Sequence, residues 1–161
     1  MILVDANLLV YAANAASSEH LAARQWLDER LNGVTRVGLP WPSVLAFVRL
    51  VSNPLVVRHP VSPADAWRQI EQWLACETAW IPVPGDGHLT IVASFLRLPW
   101  MTSRLVPDAH LAALAVEHGV TCCSTDGDFA RFPGVKWENP LAARSWLPQR
   151  ITRSRHAALR Q

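Results

Sequence analysis

Four aspartates stand where acidic side chains could share one task. Asp5 closes the apolar run Met1-Ile2-Leu3-Val4 at the start of the chain. Asp108 opens a stretch in which Leu111, Leu114 and Ala115 recur at helical spacing, with Ala112 and Val116 beside them and Gly119 at the position of a helix C-cap. Asp126 and Asp128 follow Val120 to Ser124, a short apolar run the size of a buried strand. If the two apolar runs are parallel strands of one sheet, Asp5 and Asp126 leave it at the same edge, and a carboxylate in the first turn of the preceding helix meets them there. In open α/β sheets that edge is where ligands bind. Like charges about 4 Å apart cost roughly 4 kcal/mol per pair at an effective dielectric near 20, so either a pKa rises or a cation binds. An all-oxygen donor set suits a hard divalent ion, Mg²⁺ or Mn²⁺. Each acid alone also fits a simpler role: Asp108 as a helix N-cap, Asp126-Gly127 as a turn.

The elements that must position these acids can be read along the chain. A helix is expected from Ser17-Ser18-Glu19, with Leu21, Ala22, Trp26, Leu27 and Leu31 as its apolar stripe and Asn32-Gly33 as its end. Thr35 to Leu39 reads as a strand, and Pro42 to Leu50 as a mostly apolar helix stopped by Asn53-Pro54. Ser62-Pro63-Ala64-Asp65 is an N-terminal capping pattern for a helix carrying Trp67, Ile70, Trp73 and Leu74. Trp80 to Val83 is expected as a strand, His88 to Leu98 as a helix, Trp100 to Val106 as a loop, and Val135 to Glu138 as a last strand. Alternating strands and helices predict an α/β fold with a parallel sheet. Residues 1–147 make one domain, followed by a flexible arginine-rich tail, 148–161.

Composition narrows the function classes. Half of the 161 residues are apolar and 17% charged, as in a well-packed globular domain. No run is long enough to span a membrane and no basic segment precedes the first apolar run. Three cysteines without a C-x-x-C pattern read as reduced thiols, and the chain reads as cytoplasmic. The six histidines show no ligand-like spacing and read as structural or solvent-facing. Net charge is +2, but four arginines lie within residues 150–161, and the rest of the chain holds 11 basic and 13 acidic residues. The body is not a generally basic nucleic-acid binder; any such contact is local.

Three segments together resemble the PIN domain: Ile2-Leu-Val-Asp-Ala-Asn-Leu-Leu-Val-Tyr-Ala12, Val106-Pro-Asp-Ala-His-Leu-Ala-Ala-Leu-Ala115 and Ser124-Thr-Asp-Gly-Asp-Phe-Ala-Arg-Phe132. The likeness is greatest to the VapC toxins of bacterial type II toxin–antitoxin systems, the actinobacterial group especially, and Phe47 to Pro54 resembles that group's second helix. The resemblance implies a three-layer α/β/α fold around a mostly parallel sheet. It implies a Mg²⁺- or Mn²⁺-dependent endoribonuclease that cleaves structured RNA such as tRNA or rRNA, is neutralised by a cognate antitoxin, and forms a homodimer. Asp5, Asp108 and Asp126 match the family's metal-binding acids, Asp128 a further acid, and Asn7 and Thr125 polar residues of the same pocket. Arg49 is a candidate phosphate contact, and Trp100 with Arg104 a candidate grip on single-stranded bases. Trp41 to Arg49 lacks the glutamate many relatives carry there, with Ala46 or Trp41 in its place. That departure raises an alternative, a PIN-like protein that binds RNA or antitoxin with weak or lost cleavage. An Asp-x-Asp phosphatase fits less well, since its motif follows the first strand.

Overall fold

The computed structural model describes residues 1–142. The domain end at 147 and the arginine-rich tail lie outside the described residues. Five parallel strands form one sheet in the order β3-β2-β1-β4-β5: β1 (Ile2–Val4), β2 (Val37–Gly38), β3 (Ala79–Trp80), β4 (Thr121–Cys123) and β5 (Lys136–Glu138). The expected parallel α/β architecture is what the chain adopts. Each strand is only two or three residues long, so the sheet depends on the layers packed over it.

Those layers follow from the alternation of side chains along the strands. Ile2, Val4 and Cys123 point into one apolar core, with α1 (Ala6–Ala13), α2 (His20–Leu31), α3 (Trp41–Val51) and α4 (Pro63–Leu74) above it. Leu3 and Cys122 point into the other core, under α5 (His88–Leu96) and α6 (Val106–Glu117). Phe47 and Trp73 meet in the first core with ring centroids 5.1 Å apart; Phe95, Phe129 and Phe132 fill the second. Between α5 and α6, His88 Nε2 lies 2.9 Å from His110 Nδ1, and Glu117 accepts the Gly85 N–H. These two histidine rings pack edge to face. Among the described residues no helix is long and apolar enough to cross a membrane.

Local signals account for most boundaries. Ser62 accepts the Asp65 N–H at 3.1 Å with Pro63 in the first turn of α4, the expected capping pattern. Gly119, past the end of α6, has φ +63°, a conformation that favours glycine, so the chain reverses there into β4.

Several expectations give way. The chain turns at Asp5 directly into α1, a helix not expected from the sequence. The next helix starts at His20, three residues later than expected, and Leu21 is 79% exposed while Ala23, Trp26, Leu27 and Leu31 face the core. The strand expected over 80–83 is Ala79–Trp80, since Pro82 and Pro84 cannot donate to a ladder. The loop before Asp108 contains a 3₁₀ turn, Ser103–Leu105, and a second 3₁₀ segment, Gly127–Arg131, comes after Asp126.

Candidate active site at the β1/β4 switch point

The strand order places β1 and β4 side by side, yet the chain builds outward from β1 in one direction and from β4 in the other. The crevice at the carboxyl ends of such a pair is the general ligand site of open α/β sheets. Val4 pairs with Cys123, and the Asp5 N–H donates to the Cys123 carbonyl at 3.0 Å, so Asp5 and Ser124 leave the sheet together.

One buried hydroxyl ties the polar groups of this edge together. Ser124 Oγ donates to Asp5 Oδ2 at 2.7 Å and accepts from Asn7 Nδ2 at 2.9 Å and from the Asp126 N–H at 3.0 Å. Asp5 Oδ1 takes the Ala6 N–H at 2.7 Å, so Asp5 caps α1 while facing the crevice. Asp126 in turn caps the adjoining 3₁₀ segment, its Oδ1 accepting the Asp128 N–H at 2.9 Å. Asp108 lies in the first turn of α6 but is not its N-cap; that position is Leu105. Ser124 was missing from the candidates read in the sequence, although a polar residue ending a buried strand beside an acid was a usable signal.

The acids act on one another electrostatically across this edge. Burial first, and then the charges of Asp5, Asp126 and Asp128, together raise the Asp108 carboxyl to about 6 against the pull of Arg104. Asp5 is also raised, first by burial, with Ser124 and the Ala6 N–H opposing and the charge of Asp126 adding to the rise. Arg49 is not among the charges acting on either acid; it is exposed in the last turn of α3, where it complements the helix dipole. Thr125 is half-buried between Ser124 and Asp126 in the chain. Asp128, expected in the ligand set, has Oδ2 on Arg104 at 3.2 Å and Oδ1 on Arg131 at 3.1 Å. Trp100 is half-buried, carries the Arg131 guanidinium over its ring at 4.2 Å, and meets Phe132 edge-on. The expected glutamate has no substitute in α3, where Trp41 stacks on Trp67 of α4.

Among the described residues no three His, Cys, Asp or Glu side chains are grouped closely enough to hold an ion as they stand. Hydrogen bonds to Ser124 and to backbone N–H groups hold the Asp5 and Asp126 carboxylates. The donor chemistry nevertheless fits a hard cation. The acids share one edge and raise each other's proton affinity, and Asn7 Oδ1 is buried with no hydrogen-bond partner. A cation would relieve both.

A Ser124→Ala variant isolates the organising role. It strips a partner from Asp5 Oδ2, Asn7 Nδ2 and the Asp126 N–H at once, so stability should fall by about 2 kcal/mol or more. Equilibrium urea unfolding checks this, and a loss under about 0.5 kcal/mol would mean water replaces the hydroxyl without cost.

Comparison with known proteins places the chain in a family. The family model for the PIN domain matches residues 2–135. The chain belongs to the PIN-domain family. Ribonuclease VapC37 of Mycobacterium tuberculosis is 44% identical over 142 residues, spanning 88% of this chain and 99% of that protein. Ribonuclease VapC33 of the same species is 36% identical over 141 residues, with 88% and 99% covered. Within the PIN-domain family, this chain thus falls among the VapC ribonucleases. The fold also agrees with solved structures. VapC20 of M. tuberculosis, a sarcin–ricin loop cleaving toxin, superposes with a TM-score of 0.60 at 18% identity, covering 84% of this chain and 99% of its own. VapBC2 of Rickettsia felis, bound to a DNA fragment from its promoter, gives 0.61 at 16% identity, with 86% and 98% covered. PIN-domain ribonucleases generally use divalent metal ions, in keeping with the acids gathered at this edge.

Proposed function

We propose that this chain is a Mg²⁺- or Mn²⁺-dependent endoribonuclease acting on structured RNA, and the toxin of a toxin–antitoxin pair. The observation that carries the reading is the mutual influence of the Asp5, Asp108 and Asp126 charges at the β1/β4 switch point of a PIN-domain chain. Asp5, Asp108 and Asp126 would hold the cation, with Asn7 Oδ1 as a neutral oxygen beside them. A divalent ion there supplies a water activated near neutral pH and charge compensation for the phosphate.

The rest is positioning by the chain itself. Ser124 and the Ala6 N–H fix both oxygens of Asp5. Asp108 enters from the first turn of α6, whose N-terminal dipole favours a phosphate oxygen. Neither cysteine beneath the site competes as nucleophile: Cys122 and Cys123 are buried, and burial pushes both thiols up, Cys123 to about 12. The reading in which cleavage is lost rests on the absent glutamate alone, and ribonucleases 44% and 36% identical to this chain favour activity.

An antitoxin and a second copy of the chain are the proposed protein partners. The antitoxin is supported by the complexes to which the fold is similar, VapBC2 and FitAcB of Neisseria gonorrhoeae. An apolar recess of about 280 Å³, lined by Phe47, Val51, Val57 and Val61 among others, could take an antitoxin side chain. Exposed Leu89 and Leu96 on α5 leave apolar surface for a second copy.

The purified chain should cleave tRNA or rRNA with Mg²⁺ or Mn²⁺, stop in excess EDTA, and recover when metal is restored. Equal cleavage in EDTA and in Mg²⁺ would refute the metal mechanism, and no cleavage of either RNA in any condition would refute the nuclease.

A further inference from the structure

Two short 3₁₀ segments flank the acidic crevice, Ser103–Leu105 ahead of α6 and Gly127–Arg131 after β4. One side chain staples them. Asp128 accepts from Arg104 Nη2 with one oxygen and from Arg131 Nη1 with the other. Its side chain is 23% exposed against 82% for Arg104 and 45% for Arg131, so the carboxylate is the anchor and the guanidinium groups reach outward. Arg131 is fixed a second time, its guanidinium over Trp100, which is braced edge-on by buried Phe132. The group is also coupled to the acids, because the Asp128 N–H donates to Asp126 and the charge of Arg104 acts on Asp108.

Charge balance says what such a group is for. Three carboxylates around one divalent ion leave a net charge of −1, which repels a phosphodiester. Arg104 and Arg131 together with Asp128 contribute +1 at the rim and cancel it. A planar guanidinium held by stacking and by an ion pair keeps N–H groups free for phosphate oxygens at little further cost in side-chain freedom.

We propose that Arg104 and Arg131, held by Asp128 and by the face of Trp100, form the clamp that binds the RNA phosphates beside the scissile bond. Asp128 is then a positioning residue for the two arginines, not a metal ligand. Trp100 serves as the platform for Arg131, and bases find their stacking elsewhere. The inference rests on the ribonuclease reading and deepens it.

RNA affinity without cleavage and metal affinity without RNA separate the alternatives. In EDTA, an RNA oligonucleotide should bind Arg104→Ala and Arg131→Ala at least about tenfold more weakly than wild type. The slope of log K against log salt should shrink by about 0.7 for each phosphate no longer neutralised. Calorimetric titration of Mn²⁺ into the same variants should match wild type within about twofold, since neither arginine is a ligand. Asp128→Asn decides the carboxylate's role: losing the anchor of both arginines should outweigh the negative charge removed from the rim, so RNA binding should weaken at least about threefold, while Mn²⁺ affinity should fall by much less than about tenfold. A fall of tenfold or more in Mn²⁺ affinity for Asp128→Asn would make it a ligand and overturn the assignment. Unchanged RNA affinity and salt slope in both arginine variants would overturn the clamp. Because Arg104 is almost fully exposed, its variant keeps the test valid if Arg131→Ala fails to fold. A wild-type chain that binds Mn²⁺ but no RNA sinks the clamp alone, whereas one that binds neither sinks the ribonuclease reading with it.

Discussion

Replacing Asp108 or Asp5 by asparagine should lower RNA cleavage by about a thousandfold or more and abolish growth inhibition, while the metal-free fold stays as stable or becomes more so. The loss of activity is a matter of ligand chemistry. A neutral amide is a poorer ligand for a hard cation than a carboxylate, and losing ~4 kcal/mol of transition-state stabilisation costs about three powers of ten. The retained stability comes from the environment. Asp108 is raised to about 6 by burial and by three neighbouring carboxylates, and no described hydrogen bond to its carboxylate offsets that. Removing its charge removes repulsion and leaves no donor stranded. Asp5→Asn differs in one respect: its oxygens accept from Ser124 and Ala6, so only one of those bonds survives and its gain in stability should be smaller. Single-turnover cleavage, toxicity at matched expression and melting in EDTA measure the three effects. An Asp108→Asn protein with the wild-type rate would exclude that residue as a ligand.

The same carboxyls make metal-free stability depend on pH in an unusual sense. Asp108 has a folded pKa of about 6, above its ordinary value of 3.8. It therefore contributes stability that is fully present below about pH 4 and lost as pH rises through about 6. Asp5 is shifted in the same direction. Two units correspond to about 2.7 kcal/mol, which solvent screening of a half-buried group reduces to roughly 1 kcal/mol. In EDTA the melting temperature should thus fall between pH 5 and pH 7. Divalent metal should reverse the trend, because ligands must lose their protons before they coordinate. At a hundredfold excess over Kd the gain is about 2.7 kcal/mol, and it should be larger at pH 7 than at pH 5. Melting curves at both pH values, with Mn²⁺ and with EDTA, read this directly. Asp108→Asn should flatten the metal-free slope; a variant that kept the full slope would assign it to another group.

Much of the fold was legible because it is written in local signals. The Ser62-Pro63 cap, Gly119 and the apolar runs ending at Asp5 and Ser124 each specify a boundary with a known physical cause. The α1 helix was hidden for the opposite reason. Ala6, Leu8, Leu9, Val10 and Ala12 are all buried, so a helix covered on nearly every side shows no 3.6-residue stripe and reads as more strand. Asp5 ahead of an apolar run was the one available sign of a helix start. In the site, Asp5 and Asp126 were expected from strand ends and Asp108 from the first turn of the helix before β4. The bond from Ser124 to Asp5 spans 119 residues and that from Arg104 to Asp128 spans 24, and nothing in spacing announces either. Only the pair Asp128 and Arg131, three apart, was open to sequence reasoning.

The position of β1 has a consequence for how the protein comes into being. Strand β1 leaves the ribosome before the other four strands described, yet it occupies the middle of the sheet, with β2 on one side and β4 on the other. Asp5 takes its place only when its N–H reaches Cys123 and its carboxylate reaches Ser124. Such long-range pairing closes late, because the loop-closure entropy must be overcome first. The crevice therefore does not exist on a nascent chain, nor on one cut short before β4. A chain halted before β4 would carry Asp5 and Asp108 without Ser124 and Asp126, half of the acidic edge and none of the hydroxyl that ties it together.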